Sequence, residues 1–534
     1  MNTHVRRVAG LLAAPALAAT AVVAVSAPAA QAAPIAAPAG VDRAPAASAA
    51  AYLAAQPEAS NIIRVFYSYL DESTTPPTPV EGDYLDYGLT IDAGYALDAV
   101  GGQTAKLTQI TDALQAGIGD YAFGGSSRAK LASFLLAQGR TGADIDALVD
   151  ALEGNISDDA GTLGRLVETT GDDWNSTLTQ SYAVAALDLA ASDEADEALA
   201  YLLGQQCAAG FFQEYLPAKD AADQTCDAES AVPSVDTTAL AVLMLQGQKA
   251  GVAEELADAT GWLASQQAAD GSWGGNANRT GLAGWALGVS GNAAAAGKAA
   301  GWLRAHQLAN AGTCATYAAK DAGAVTLDDL GFANAASGPL DQIDNSVATR
   351  ATAQALPALL WAPGGAAAGA TTVSATTKLV RAGSTQAVSL RGAPGDTLCV
   401  TAAGARTRVV LPASGSASAS VKLPGGTRKT AVSVVDAGGE TKTVAITGLG
   451  ARKLPVSVAT KIRKGKRLAV RVGGLVRGES VVVSYRGKKV ARGKANAKGK
   501  ATLRFKATKV GRGKLVVRGQ FANRKNTKVV TVKR

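Results

Sequence analysis

The stretch Trp262-Leu263-Ala264-Ser265-Gln266-Gln267, followed by Asp270-Gly271-Ser272-Trp273-Gly274-Gly275, constrains this chain more than any other. A helical segment ends in glutamine, and a glycine turn then presents a tryptophan. The same order recurs at Tyr201-Leu202, Gln206 and Gly210-Phe211-Phe212, and at Trp302-Leu303, Gln307 and Gly312-Thr313-Cys314. Its opening half stands at Tyr52-Leu53 and Gln56. A unit repeated in this way buries its apolar face only against neighbouring copies, so the fold must be an array.

Between residues 46 and 363 two helix types alternate. One is apolar all round, as in Val235 to Leu245, and must be buried on every side. The other is amphipathic: Leu256, Ala259 and Leu263 share a face while Glu254, Glu255 and Asp258 point away. The apolar helices are expected to begin near Thr90, Arg128, Gln180, Asp236, Thr280 and Arg350. Six buried helices inside six amphipathic ones close most simply into an α/α toroid.

A Gly/Ala-rich linker at 364–371 ends this pattern, and the period then changes to two. Ala417, Ala419, Val421 and Leu423 point one way, and Leu468, Val470 and Val472 repeat the style further on. Two immunoglobulin-like β-sandwiches are expected, at 372–450 and 451–534. Before the toroid, Arg6-Arg7, an apolar run from Val8 to Val25 and Ala30-Gln31-Ala32 read as a secretory signal peptide over 1–32, followed by a flexible segment, 33–45. No later segment is apolar enough to span a bilayer. Cys207 and Cys226 bracket an 18-residue loop after a helix and are expected to form a disulfide, as suits an exported chain; Cys314 and Cys399 either pair across domains or stay free.

Averaged charge misleads. Residues 452–534 hold 27 of the 52 bases but one of the 44 acids, Glu479, a net of +26; the remaining 25 bases and 43 acids give the rest of the chain −18. Oppositely charged parts on one chain bear on partners, not on fold.

Asp86-Tyr87-Gly88-Leu89-Thr90-Ile91-Asp92, Asn276-Ala277-Asn278-Arg279-Thr280-Gly281-Leu282 and the Gln267/Trp273 unit resemble secreted bacterial proteins built from prenyltransferase and squalene-cyclase type repeats. Within that superfamily, Val235-Asp236-Thr237-Thr238-Ala239 and Ala353-Gln354-Ala355-Leu356-Pro357-Ala358-Leu359 look like the cobalamin carriers, transcobalamin and intrinsic factor. The likeness covers about 300 residues. It implies the toroid, and it makes cobalamin the one cofactor to consider; no other is expected.

The chemistry of the relatives has recognisable requirements. A squalene-type cyclase protonates an alkene from an Asp-x-Asp-Asp motif, which neither Asp144-Ile145-Asp146-Ala147 nor Thr326-Leu327-Asp328-Asp329 supplies. A prenyltransferase zinc site needs histidine. Apart from His4 in the signal peptide the chain has only His306, expected to be solvated at an outer helix end. That shortage also argues against Ser-His-Asp hydrolysis, and no metal site is expected. Paired carboxylates from Asp83, Asp86, Asp92, Asp172, Asp173, Glu229 and Asp236 could support glycoside hydrolysis.

A binding reading uses the same mouth differently. Thr90, Asp92, Gln180, Asp236, Thr237, Asn276, Asn278, Thr280 and Gln354 are expected to gather where the inner helices begin and to hold a medium-sized ligand, a small molecule or a glycan. The basic sandwich, 451–534, suits an anionic cell-envelope polymer. Nucleic acid is disfavoured, because Tyr485, Phe505 and Phe521 are too few for a base-stacking platform. The expectation is thus a secreted, cell-surface-associated, non-enzymatic binding or scaffold protein. The alternatives are a carbohydrate-active enzyme (glycoside hydrolase or lyase) and a purely structural surface protein.

Overall fold

The computed structural model describes residues 40–534 together with Ile35 and Pro38, apart from 170–172, 174, 227–229, 249, 310–313, 316, 336 and 365–369. The expected signal peptide, Asp172, Glu229, Gly312, Thr313 and most of the linker lie outside the described residues. In chain order the helical part runs α1 (Ala44–Ala54), a hairpin of β1 (Ile63–Asp71) and β2 (Thr78–Asp86), α2 (Tyr87–Val100), α3 (Thr104–Ala116), a short α4 (Ile118–Tyr121), α5 (Gly125–Ala137), α6 (Ala143–Glu153), α7 (Thr177–Ala190) and α8 (Ala195–Gly204). It continues with α9 (Val235–Met244), α10 (Ala253–Ser265), α11 (Ala277–Val289), α12 (Ala293–Ala305), a short α13 (Asp329–Ala335) and α14 (Gln342–Ala355).

Helices α2, α5, α7, α9, α11 and α14 form the inner ring: each packs on the next, and α14 packs back on α2. Residues Thr237 to Leu243 of α9 are all buried, whereas α10 outside it buries only Leu256, Ala259 and Leu263. Helices α3, α6, α8, α10 and α12 each back the inner helix they follow. The sixth outer place is taken from the other end of the chain, by α1 against α14. Last-to-first contacts seal the ring. Val41 pairs with Pro363, Asp42 N donates to Ala362 O at 2.9 Å, and Tyr52 Oη donates to Asn345 Oδ1 at 2.9 Å. From Gly40 on, the expected flexible segment is therefore bonded to the ring.

One device joins successive outer helices. Gln206 Nε2 donates to Gly210 O (2.9 Å) and to Glu255 O of α10 (2.8 Å), and Gln267 Nε2 to Gly271 O (3.0 Å) and Ala295 O of α12 (2.9 Å). Gln307 Nε2 donates to Gly323 O (3.1 Å) and to Pro45 O of α1 (2.8 Å), so the closing joint copies the others. Trp273 is buried beneath its joint and donates Nε1–H to Leu263 O at 2.9 Å. The three glycines sit at φ +96, +98 and +100°, and a Cβ on any of them would strike the carbonyl of Asp258, Lys298 or Ser48 in the adjoining outer helix. The motif glycine of the last joint is Gly323, not the expected Gly312. A joint that the motif does not reveal uses Gln180 of inner helix α7, whose Nε2 reaches Gly164 O (2.9 Å) and Ala198 O of α8 (3.2 Å). Helix α14 begins at Gln342, eight residues before the expected Arg350: Asp341 caps it by accepting from Asp344 N at 2.8 Å, and its first turns are too polar to announce a buried helix.

Cys207–Cys226 is a disulfide as expected, and Cys314–Cys399 is a second that ties the helical part to the first sandwich. That sandwich stacks the sheet β4-β10-β9-β6-β7 (Leu379–Arg381, Thr441–Leu449, Arg428–Val435, Thr397–Ala402, Ala405–Val410) on β3-β5-β8 (Thr372–Ser374, Thr385–Arg391, Ser416–Lys422). The second follows the same plan. Its sheets are β11-β19-β18-β15-β16 (Arg452–Lys453, Arg524–Lys533, Gly511–Arg518, Ser480–Tyr485, Lys488–Lys494), with β13 (Lys461–Arg463) also on β19, and β12-β14-β17 (Val456–Ser457, Arg467–Val472, Ala501–Lys506). In both, a short early strand runs parallel to the last one, β4 on β10 and β13 on β19, which makes the two copies of one topology. Alternation is strict where the sequence shows it: Leu468, Val470, Val472, Leu503 and Phe505 are all buried.

Gly271→Ala should destabilise the toroid by about 2–3 kcal/mol, because strain at positive φ adds to a collision with α12. Gly291 has φ +91° but open space around it, so Gly291→Ala should cost about 1 kcal/mol. Denaturant midpoints compare the two; equal losses would show that helix approach plays no part.

Candidate functional site

Each repeat reverses the chain twice, so the inner helices run parallel and begin at one mouth. Most of the polar residues expected to line it are spent on the fold. Thr90 Oγ1 accepts from Ile63 N (2.9 Å), Thr280 Oγ1 from Trp273 N (3.1 Å) and Gln180 Oε1 from Leu166 N (2.7 Å). Thr238 and Thr352 do the same for Phe212 N (3.0 Å) and Val325 N (2.8 Å). In five of six repeats an inner-helix side chain thus satisfies a buried loop amide, which would otherwise cost about 1–3 kcal/mol. Sequence cannot separate a threonine facing the cup from one facing the loop behind it. Asn276 caps α11 by accepting from Asn278 N (2.9 Å) and Arg279 N (3.2 Å). Gln354 lies where α14 crosses Gly281 of α11, its carbonyl against that glycine.

What remains at the mouth is a pocket of about 390 Å³ lined by Asp236, Thr237, Ser176, Glu214, Tyr215 and Arg279. Asp236 Oδ1 is buried there without a hydrogen-bond partner, as is the nearby Asn278 Oδ1. Burial holds the Asp236 carboxyl above the usual carboxylate range, and Arg279 at 3.6 Å offsets part of that rise.

Among the described residues, the candidate acids of a hydrolase are individually paired with bases. Asp83 meets Arg64 (3.1 Å), Asp86 meets Arg350 (2.7 Å), Asp92 meets Lys130 (2.6 Å), and Asp173 meets Lys219 (3.3 Å) and Arg165 (3.4 Å). The Asp92–Lys130 pair bridges α2 and α5 inside the ring, with Lys130 Nζ 5.6 Å from the Tyr182 ring and Tyr95 stacked on Tyr182 at 6.4 Å. Burial pushes both phenols far above their ordinary range, so they stay protonated at neutral pH. Asp144 and Asp146 lie exposed on outer helix α6, away from any cup. His306 corrects an expectation: it is buried, stacked on Trp302 at 3.7 Å, with Nε2 2.9 Å from Asp329 Oδ1. Among the described residues no group of three or more His, Cys, Asp or Glu is arranged to hold a metal ion.

The second sandwich carries its charge in register. Arg492, Val482, Arg518 and Lys525 form one cross-strand row over β16, β15, β18 and β19, and on the other sheet Arg467 stands opposite Lys506. The five bases are exposed. Like charges directly opposite cost stability. The segment's only acid does not relieve them: Glu479 is fully buried with Arg524, which donates to it at 2.7 and 2.9 Å. Arg524 spends its other N–H groups on Gly474 O (3.0 Å), Gly450 O (2.9 Å) and Thr427 Oγ1 (3.2 Å), the last in the first sandwich. The pair is a hinge pin between sandwiches.

Two residues that sequence reasoning missed, Tyr67 and Tyr69, stand on the hairpin β1–β2, which is not among the expected elements. The run Ile63-Arg64-Val65-Phe66-Tyr67-Ser68-Tyr69 carried its period-two signal. Tyr67, Tyr69 and Tyr84 are exposed there.

No family model matches the chain, and no curated protein matches it in sequence. Among solved structures it is similar to the type II terpene cyclase MstE from Scytonema (14% identity over 59% of this chain and 98% of that one, TM-score 0.38). It is also similar to a protein from Actinoplanes (18% identity, 58% and 100%, TM-score 0.38) and to ent-copalyl diphosphate synthase from Streptomyces platensis (17% identity, 51% and 50%, TM-score 0.34). The match spans half the length of that synthase. Likenesses this distant bring no chemistry to the chain.

Glu479→Gln should destabilise the second sandwich by about 3–5 kcal/mol, because it leaves Arg524 charged and buried without its partner. Arg492→Gln on the exposed face should change stability by less than about 0.5 kcal/mol. Chemical denaturation of the full chain compares them, and a near-neutral Glu479→Gln would deny the pair its role.

Proposed function

We propose that the chain is an exported, non-enzymatic binding or scaffold protein. Its toroid offers a small polar mouth for a ligand, and its basic sandwich holds it on anionic polymers of the cell envelope. The observation that carries this reading is the exposed cationic row Arg492–Arg518–Lys525, which has no acid of its own segment beside it. Strands are spaced about 4.8 Å apart, so the row sets charges at roughly 5 and 10 Å along a rigid sheet. A flexible polyanion can follow that spacing, and its binding would relieve the like-charge repulsion as it releases counter-ions.

Export is supported by two disulfides, which form and persist in oxidising compartments. Among the described residues no helix is long and apolar enough to cross a membrane, so retention at a surface calls for another means, and charge supplies one. The acids and phenols around the mouth favour a non-catalytic reading. Asp83, Asp86 and Asp92 each face a base, and Tyr95 stays protonated.

Titration of the full chain with inorganic polyphosphate tests the reading. Binding at low salt should weaken linearly in log–log form as salt rises, and Arg492→Gln, Arg518→Gln and Lys525→Gln together should lower that slope by about three. Affinity indifferent to salt, or to the triple change, would refute it.

A further inference from the structure

Among the described residues five large aromatic side chains are exposed: Tyr67, Tyr69, Tyr84, Phe123 and Tyr215. All five stand on segments that lead into inner helices. The first three are on the hairpin before α2, Phe123 is two residues before α5, and Tyr215 pairs with Ser176, the cap of α7. Exposed aliphatic side chains such as Leu163, Leu189, Val510 and Val529 lie elsewhere, so it is the aromatic rings that single out this end of the ring.

The hairpin presents its rings in a fixed array. Tyr67 and Tyr69 stack at 6.2 Å with planes only 17° apart, and Tyr84 stands 6.2 Å from Tyr67 on the partner strand. Gly82 lies opposite Tyr67 in the register, and a Cβ there would collide with the phenol ring, so the glycine is what lets the ring lie across the neighbouring strand. The support is firm: Phe66 N donates to Ser346 Oγ of α14 at 2.9 Å, and Ile63 N to Thr90 Oγ1 at 2.9 Å. On the hairpin's other face, which carries Phe66, Glu81 and Asp83, an open groove of about 400 Å³ runs against Asp341 and Gln342 at the start of α14.

We propose that this rim binds an uncharged polysaccharide, with sugar rings stacked on Tyr67, Tyr69 and Tyr84 and sugar hydroxyls bonded to their phenol groups. A pyranose offers an apolar C–H face and a hydroxyl edge, and the rim offers the complement of each. The hairpin carries Asp71, Glu72, Glu81, Asp83 and Asp86 against one base, Arg64, which repels a polyanion, so this ligand differs from the one assigned to the basic sandwich. The proposal does not depend on the polyanion contact, and salt separates the two.

The test mixes the full chain with insoluble chitin, cellulose and starch in about 1 M NaCl, where screening silences charge-driven binding. Depletion by at least one of the three is expected. Tyr67→Ala with Tyr69→Ala should weaken that binding about tenfold or more, from two stacking contacts of roughly 0.5–1.5 kcal/mol each. Gly82→Val keeps every tyrosine but displaces the Tyr67 ring, so it should weaken binding as well. Arg492→Gln with Arg518→Gln should not. No depletion by any of the three, or depletion that the double tyrosine change leaves intact while thermal unfolding shows a native fold, overturns the proposal.

Discussion

Closure of the inner ring is the constraint on which everything else in this molecule rests. A row of helix pairs exposes an apolar face at each end, and repeat arrays ordinarily need capping units to hide it. Here the last inner helix, α14, packs on the first, α2, and the outer layer is completed by α1 from the chain's beginning. Gln307 makes the closing joint with the same two hydrogen bonds that Gln206 and Gln267 make elsewhere. The glutamine amide suits this place because its two N–H donors serve two carbonyls at once, one in the loop and one in the next helix. The left-handed glycine then allows the loop to approach that helix without a Cβ between them.

The same economy explains why the mouth is poorer in free polar groups than its sequence suggests. A loop that descends beside an inner helix brings a backbone N–H into a dry region, and burial without a partner is costly. Threonine near the helix start meets that N–H with its hydroxyl, and in one repeat a glutamine does so. The remaining charges pair with one another across neighbouring helices. Potential for recognition is left to what the repeat does not need: the inserted hairpin, the loop ends and the pocket beside Asp236.

The two sandwiches show one topology put to two electrostatic uses. The first is covalently tied to the helical part through Cys314–Cys399, and Arg304 of α12 reaches Asp396 at 3.4 Å beside it. The second is joined to the first by a buried arginine whose five donors are all engaged. Within the second, the need for one acid at that junction explains why Glu479 survives among 27 bases, and its burial explains why it does nothing to quench the exposed face. Stability and surface charge are thereby set by different residues.

The sequence by itself determined the array, the six-in-six count, the change from helical to period-two patterning and the partition of charge. Each of these is written in local periodicity or composition, which survives without knowledge of neighbours. It also marked Cys207–Cys226, a staple closed within one loop. Only the tertiary structure decided that Thr90, Gln180 and Thr280 face loops rather than a ligand, and that Gly323 replaces Gly312. It alone paired Cys314 with Cys399, buried His306 on Trp302, and brought Tyr67, Tyr69 and Tyr84 together on one rim. These depend on which side of a helix meets which loop, and on partners far away in the chain. A single residue's chemistry reads the same in either setting, so only three-dimensional contact could choose between them.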